Sequence, residues 1–89
     1  MTIKKGFVLR KVCGQNVIVG EGLGTINFGK MLVLSDSAAW LWEQALQQRD
    51  FTIDSLADAL NNEYEITIEE AKNDVSEFIS DLKRVEVIE

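Results

Sequence analysis

The side chains that could perform covalent or acid–base chemistry are few in this chain and poorly spaced for it. Its 89 residues include no histidine, so the commonest general base at neutral pH is missing. The only cysteine, Cys13, stands beside Gly14 in a turn pattern, with no base placed to activate its thiol. Glu69 and Glu70 are paired carboxylates, but adjacent residues on a helix diverge and do not share a substrate. We therefore expect no catalytic residues and no enzymatic activity.

Binding of a metal or cofactor has equally little support in the sequence. There is no cluster of cysteine and histidine, and the acids do not match a calcium-loop pattern. Gly20, Gly22 and Gly24 alternate, but nothing like a phosphate-binding loop leads from them into a helix. We expect no metal site and no cofactor.

Length and composition indicate the class of protein. With 46% apolar residues, the chain predicts a single domain over residues 1–89 with one modest core. It has no run of 18 apolar residues, and no apolar stretch follows the Met-Thr-Ile-Lys-Lys start, which disfavours a membrane span and a signal peptide. One cysteine cannot form an internal disulfide, which is typical of a cytoplasmic protein. We expect a cytoplasmic domain that works through its surface.

The net charge of −6 is divided unevenly along the chain. Up to Leu34, five basic residues and one acid give +4, whereas from Ser35 onward four basic residues and fourteen acids give −10. The sign changes where the sequence pattern changes from strand to helix.

The first part of the chain has the pattern of β-strands. Apolar and β-branched runs occupy residues 7–12, 17–19 and 31–34. Cys13-Gly14-Gln15-Asn16 is a turn signal between the first two runs, and residues 25–28 are a further short strand candidate. We expect a three-stranded antiparallel meander that ends on residues 31–34.

Three helix patterns follow, and each begins after a residue that can cap it, namely Ser35, Thr52 or Thr67. Glu70 is placed to complete a capping box with Thr67. Periodic apolar residues predict the buried faces as Ala38, Leu41, Trp42, Ala45 and Leu46, then Ile53, Leu56, Ala57, Leu60 and Tyr64, then Ala71, Val75, Phe78, Ile79 and Leu82. Residues 85–88 would form an extended tail. The fold class is α+β, an N-terminal three-stranded antiparallel sheet packed on three C-terminal helices.

Trp40 and Trp42 lie about 200° apart around the first helix, so only one of them can face the core. The apolar stripe assigns the core position to Trp42. In one interpretation Trp40 is exposed and contacts a partner protein or a second copy of the chain. In the other it folds over the glycine-rich stretch. Both interpretations stay open.

The last strand leaves one edge of the sheet to be paired, covered or used. Lys30 is its only guarding charge, and the chain has no proline. An extended peptide could add to this edge by β-augmentation. A helix or a second copy of the chain could equally cover it.

A hairpin with two helices also occurs in winged-helix proteins that bind DNA. The helix over residues 68–83 would then face DNA, and its exposed residues are mostly acidic, with Glu69, Glu70, Asp74, Glu77 and Asp81 against Lys72, Lys83 and Arg84. Because affinity for DNA comes mainly from neutralised phosphates, this helix would repel it. We expect no nucleic-acid binding, and retain a winged-helix regulator and a structural dimerisation module as alternatives.

The joint spacing of these residues resembles the PqqD family, small proteins named from pyrroloquinoline quinone biosynthesis. The resemblance extends over residues 7–88. It is carried by Leu32-Val33-Leu34, an alanine at 38 or 39, Leu41-Trp42-Glu43, residues 52–60 with Tyr64, Ala71, Asp74-Val75, Phe78-Ile79 and Leu82.

The resemblance implies a winged-helix-like fold and a peptide chaperone, or RiPP recognition element, without catalysis. Such proteins bind the leader of a ribosomally made precursor peptide as a strand added beside the third strand, and present it to a modifying enzyme, often a radical-SAM protein. The implied peptide-binding residues are Lys30, Met31, Leu32 and Val33 on the strand, with Lys72, Val75, Ile79 and Lys83 on the third helix. Monomer and weak homodimer both stay open, because an edge that binds peptide can also pair with itself.

Two turns depart from the family pattern. Gln48-Arg49-Asp50 stands where the family usually has Asp-Gly, and Arg84-Val85-Glu86 stands where a glycine commonly precedes the final strand. These departures favour a relative that serves another peptide pathway over a protein of quinone biosynthesis itself.

Overall fold

The computed structural model describes residues 1–20 and 32–89, and in these ranges it contains three strands followed by three helices. The elements are β1 (Phe7–Val12), β2 (Gln15–Gly20), β3 (Leu32–Leu34), α1 (Asp36–Gln48), α2 (Ile53–Glu63) and α3 (Ile68–Arg84). The described sheet is antiparallel, with the order β1-β2-β3. This confirms the predicted α+β fold. The predictions on residues 25–28, on Lys30 and on Met31 lie outside the described residues.

The β1–β2 hairpin is tighter than its sequence predicted. Val12 pairs with Gln15, so the loop consists of Cys13 and Gly14 alone. Their φ angles of 51° and 79° are the left-handed pair that a two-residue type I′ turn requires, and this turn matches the twist of the strands it joins. The predicted four-residue turn was therefore wrong, because Gln15 and Asn16 belong to β2.

Side-chain caps begin all three helices at the predicted residues. The Ser35 hydroxyl accepts from the Ala38 N–H, and the Thr67 hydroxyl accepts from the Glu70 N–H, at 3.2 and 3.1 Å. The reciprocal capping box lies at α2 instead of α3, because Thr52 and Ser55 each accept the other's N–H at 2.9 Å. In the part of the chain that the structure describes, Glu70 makes no such return bond, so that detail was wrong.

One core joins the sheet to the helices. It contains Ile18, Leu32, Leu34, Leu41, Trp42, Ala45, Phe51, Leu56, Ala57, Leu60, Ala71, Val75, Phe78, Ile79, Leu82, Val85, Val87 and Ile88. The stripe predicted for α3 is entirely buried. Two predicted core residues are exposed, Leu46 by 46% and Tyr64 by 41%. Tyr64 lies outside because α2 ends at Glu63 and the backbone is extended at Tyr64.

The C-terminal tail packs against the first residues of the chain. Ile88 forms an antiparallel bridge with Ile3, and backbone hydrogen bonds join Thr2 to Glu89 in both directions, at 2.9 and 3.1 Å. Val87 is fully buried beside this bridge. Residues 87–89 are therefore extended and pack on the core, whereas residues 85 and 86 form a turn, so the extended tail predicted for residues 85–88 was wrong in its first half.

The two turns that depart from the family pattern carry backbone conformations that favour glycine. Arg49 and Glu86 have φ angles of 66° and 58°. A residue with a Cβ in such a sparsely populated region costs on the order of 1–3 kcal/mol. At Arg49 the chain closes a three-residue turn, in which the Asp50 N–H donates to the Gln48 carbonyl at 2.8 Å.

Candidate functional site

β3 lies at one edge of the described sheet. Its residues pair with β2 alone in these ranges, Leu32 opposite Ile18, Val33 opposite Val17 and Leu34 opposite Asn16. Leu32 and Leu34 are buried, whereas the Val33 side chain is 58% exposed. The strand is thus anchored by its outer residues and presents its middle residue to solvent.

Asn16 shows which way the backbone of β3 is turned. Its amide Nδ2 donates to the Leu34 carbonyl at 3.4 Å and to Asp36 Oδ1 at 3.0 Å, so the Leu34 carbonyl is directed toward β2. Successive residues of a strand direct their backbone groups to opposite sides. The N–H and C=O of Val33 are therefore directed to the edge away from β2, where a further strand would pair.

A groove of about 320 Å³ lies beside β3, between that strand and α3. The strand and the start of α1 contribute Val33, Leu34, Ser35, Ser37 and Ala38, while α3 contributes Asp74, Glu77, Phe78 and Asp81. Leu41 and Leu60 complete the lining, and with Phe78 they give the groove a buried apolar floor. The four α3 residues are spaced i, i+3, i+4 and i+7, which places them along one edge of that helix.

The groove lining is acidic. Among the residues that the structure describes, three of the lining side chains are carboxylates, on Asp74, Glu77 and Asp81, and none is lysine or arginine. Asp81 Oδ1 lies 3.4 Å from the Arg84 guanidinium. Within residues 1–20 and 32–89, Asp74 and Glu77 have no cationic partner. The α3 wall therefore has an excess of negative charge.

The structure separates the residues that the family resemblance implied for peptide binding. Val33 lines the groove, but Val75 and Ile79 are 0% and 2% exposed and lie inside the core. Lys72 and Lys83 lie about 160–180° around α3 from Asp74, on the other edge of the helix. Lys72 Nζ lies 3.7 Å from Asp54 Oδ1 of α2. In this conformation none of these four α3 side chains reaches the groove.

Sequence reasoning missed the α3 residues that do line the groove, Asp74, Glu77, Phe78 and Asp81. Their spacing along one helix edge was a usable signal. A buried stripe has two flanking edges, however, and the pattern does not tell which of them faces β3. Leu32 is buried and does not line the groove, and because it lies two residues from Leu34 its backbone N–H and C=O are also directed toward β2, so neither its side chain nor its backbone faces the open edge.

Trp40 packs inside its own chain. It is half-buried against the core, and its ring makes an edge-to-face contact with Tyr64, with centroids 5.6 Å apart and planes at 82°. Part of the Trp40 ring is exposed, so a contact of Trp40 with a partner stays a prediction.

Residues 1–20 and 32–89 hold no group of three or more potential metal ligands. Of the helices in those ranges, none is long and apolar enough to cross a membrane.

The chain belongs to the PqqD family, whose family model, described as Coenzyme PQQ synthesis protein D, matches residues 15–88. The fold is similar to that of TbiB1 in complex with the TbiA(beta) leader peptide, with a TM-score of 0.73 and 19% identity over 100% of this chain and 95% of that one. It is also similar to lasso peptide synthetase B1 complexed with the leader peptide, with a TM-score of 0.66 and 19% identity over 97% and 92%. A search of curated proteins found no match. The comparisons give no support to a DNA-binding regulator or a dimerisation module.

Proposed function

We propose that this protein is a non-catalytic adaptor that binds the leader of a ribosomally made precursor peptide. The leader lies as an added strand along the open edge of β3, with its side chains in the groove between β3 and α3. The adaptor then holds the peptide for a separate modifying enzyme.

The observation that carries this proposal is the coincidence of a strand edge and a groove. The outward-directed backbone of Val33 offers hydrogen bonds to any sequence, and a groove beside it can select side chains, which is how β-augmentation combines affinity with specificity. Membership of the PqqD family and two fold neighbours that hold leader peptides support it.

The finer parts of the proposal concern the partner and the setting. The family resemblance favours a radical-SAM enzyme as the recipient of the peptide. The adaptor itself would be a cytoplasmic protein, either a monomer or a weak homodimer. Reconstitution can decide the recipient: modification of the precursor by the enzyme encoded beside this gene should accelerate when the adaptor is added. An unchanged rate would exclude that enzyme as the recipient.

An NMR titration tests the binding site directly. Saturation with the leader of a neighbouring precursor should shift the backbone amides of β3 and of residues 74–81. A scrambled peptide of the same composition serves as the control. Binding that leaves these amides unshifted would contradict the proposed site, and shifts confined to β1 would place the peptide on the other edge of the sheet.

A further inference from the structure

The α3 wall of the groove gives information about the peptide itself. Asp74, Glu77 and Asp81 lie above a floor made by Leu41, Leu60 and Phe78, so the groove has an apolar base and an anionic rim. A bound segment has to satisfy both. A lysine or arginine side chain fits both parts of the groove, because its methylene stem packs on the apolar floor while its charged head reaches the anionic rim.

We infer that the segment bound in this groove is basic, an extended peptide with lysine or arginine at alternate positions facing α3. This inference rests on the proposed peptide-binding function of the groove and adds the chemical class of the peptide. The cations would face Asp74, Glu77 and Asp81, the last in exchange for its exposed pair with Arg84.

The spacing of the carboxylates fits such a strand. Asp74, Glu77 and Asp81 are three and four residues apart, which spreads them over about 10 Å along the helix axis. An extended peptide presents a side chain to the same face every ~6.7 Å. Two or three alternate positions of the peptide therefore span the acidic rim.

Charge also disfavours a second copy of the chain as the occupant. Two copies that paired through β3 would bring two acidic α3 walls to one interface. Residues from Ser35 onward carry four basic side chains and fourteen acids, so the helical halves repel each other. A basic peptide neutralises this surface instead.

Selection from a random library of 12-residue peptides displayed on phage tests the inference without a known ligand. The immobilised full-length protein should enrich peptides with lysine or arginine at alternate positions. One enriched peptide is then synthesised with a fluorophore, and its Kd is measured by anisotropy in 50 mM and 300 mM salt.

Two matched variants locate the charge effect. In the double variant Asp74→Asn, Glu77→Gln, loss of two partly exposed ion pairs should raise the Kd about 5- to 20-fold at 50 mM salt, with a smaller change at 300 mM. The control Asp58→Asn removes an exposed α2 carboxylate that does not line the groove, and should change the Kd less than about twofold.

The outcomes separate this inference from the proposal on which it rests. Enriched peptides that shift the β3 amides but are neutral or acidic, or that bind the double variant as well as the wild type, would overturn the basic class alone. If no peptide is enriched, or if sedimentation shows a dimer whose β3 amides shift when it is diluted to monomer, both the inference and the peptide-binding function are wrong.

Discussion

Replacement of Val33 by proline is the sharpest test of strand addition on β3. Val33 is exposed, and its N–H is directed away from β2, so in the free protein proline removes none of the sheet hydrogen bonds formed within residues 1–20 and 32–89. In the complex the same N–H would donate to a peptide carbonyl. This substitution should therefore weaken peptide binding without destabilising the fold.

The magnitude follows from the hydrogen bonds at stake. One backbone hydrogen bond contributes a net ~0.5–1.5 kcal/mol. The proline ring would also prevent the neighbouring peptide group from approaching the strand, so we expect a total loss of about 1–3 kcal/mol, or roughly 5- to 150-fold in Kd. The free protein should unfold within about 5 °C of the wild type, since its core and sheet pairing are retained.

The assay compares three proteins with one labelled leader peptide. Fluorescence anisotropy gives the Kd, and thermal unfolding followed by circular dichroism gives the Tm of each. The matched control is Val33→Thr, which keeps a β-branched side chain and the backbone N–H, and should bind within about threefold of the wild type.

Equal affinity in a folded Val33→Pro protein would refute strand addition at this edge. Loss of binding in both variants would instead assign the effect to the valine side chain in the groove. An unfolded Val33→Pro protein would show that the N–H of Val33 is directed toward β2, against the geometry argued from Asn16.

Three further substitutions test the fold that positions the groove. Thr52→Ala removes half of the α2 capping box and should cost about 1 kcal/mol, or ~4–8 °C in Tm, with an unchanged peptide Kd. Arg49→Gly relieves a residue at φ 66° and ψ −70°, a γ-turn conformation that costs on the order of 1–3 kcal/mol, but it also makes the unfolded chain more flexible by ~0.4–1 kcal/mol. Denaturant unfolding should therefore show a slight net stabilisation, and a loss would contradict the strain. Ile79→Ala should cost about 2–5 kcal/mol in the same assay, because the side chain is buried in the core, whereas a peptide contact without a core role would leave stability unchanged.

Local signals predicted most of the elements correctly because their causes are local. Ser35, Thr52 and Thr67 cap their helices through backbone groups three residues away, and such bonds can be predicted from sequence. The buried stripe of α3 was predicted in full, since burial follows the helical period. The errors occurred where a neighbouring element decides, as at Leu46, which lies at the margin of the α1 stripe and is exposed.

The sequence by itself determined that this chain would bury one core, lack an obvious catalytic set and place a strand edge before an acidic helical half. It could not determine which edge of α3 faces that strand. Asp74 and Glu77 flank the buried stripe on one side, and Lys72 and Lys83 flank it on the other, so periodicity treats both edges alike. Only the tertiary fold, in which α3 packs mainly on α2, turned the carboxylates toward β3 and left Lys72 beside α2. The physical reason is that the helical period specifies what a helix buries, whereas the direction from which the sheet approaches is a property of the whole fold.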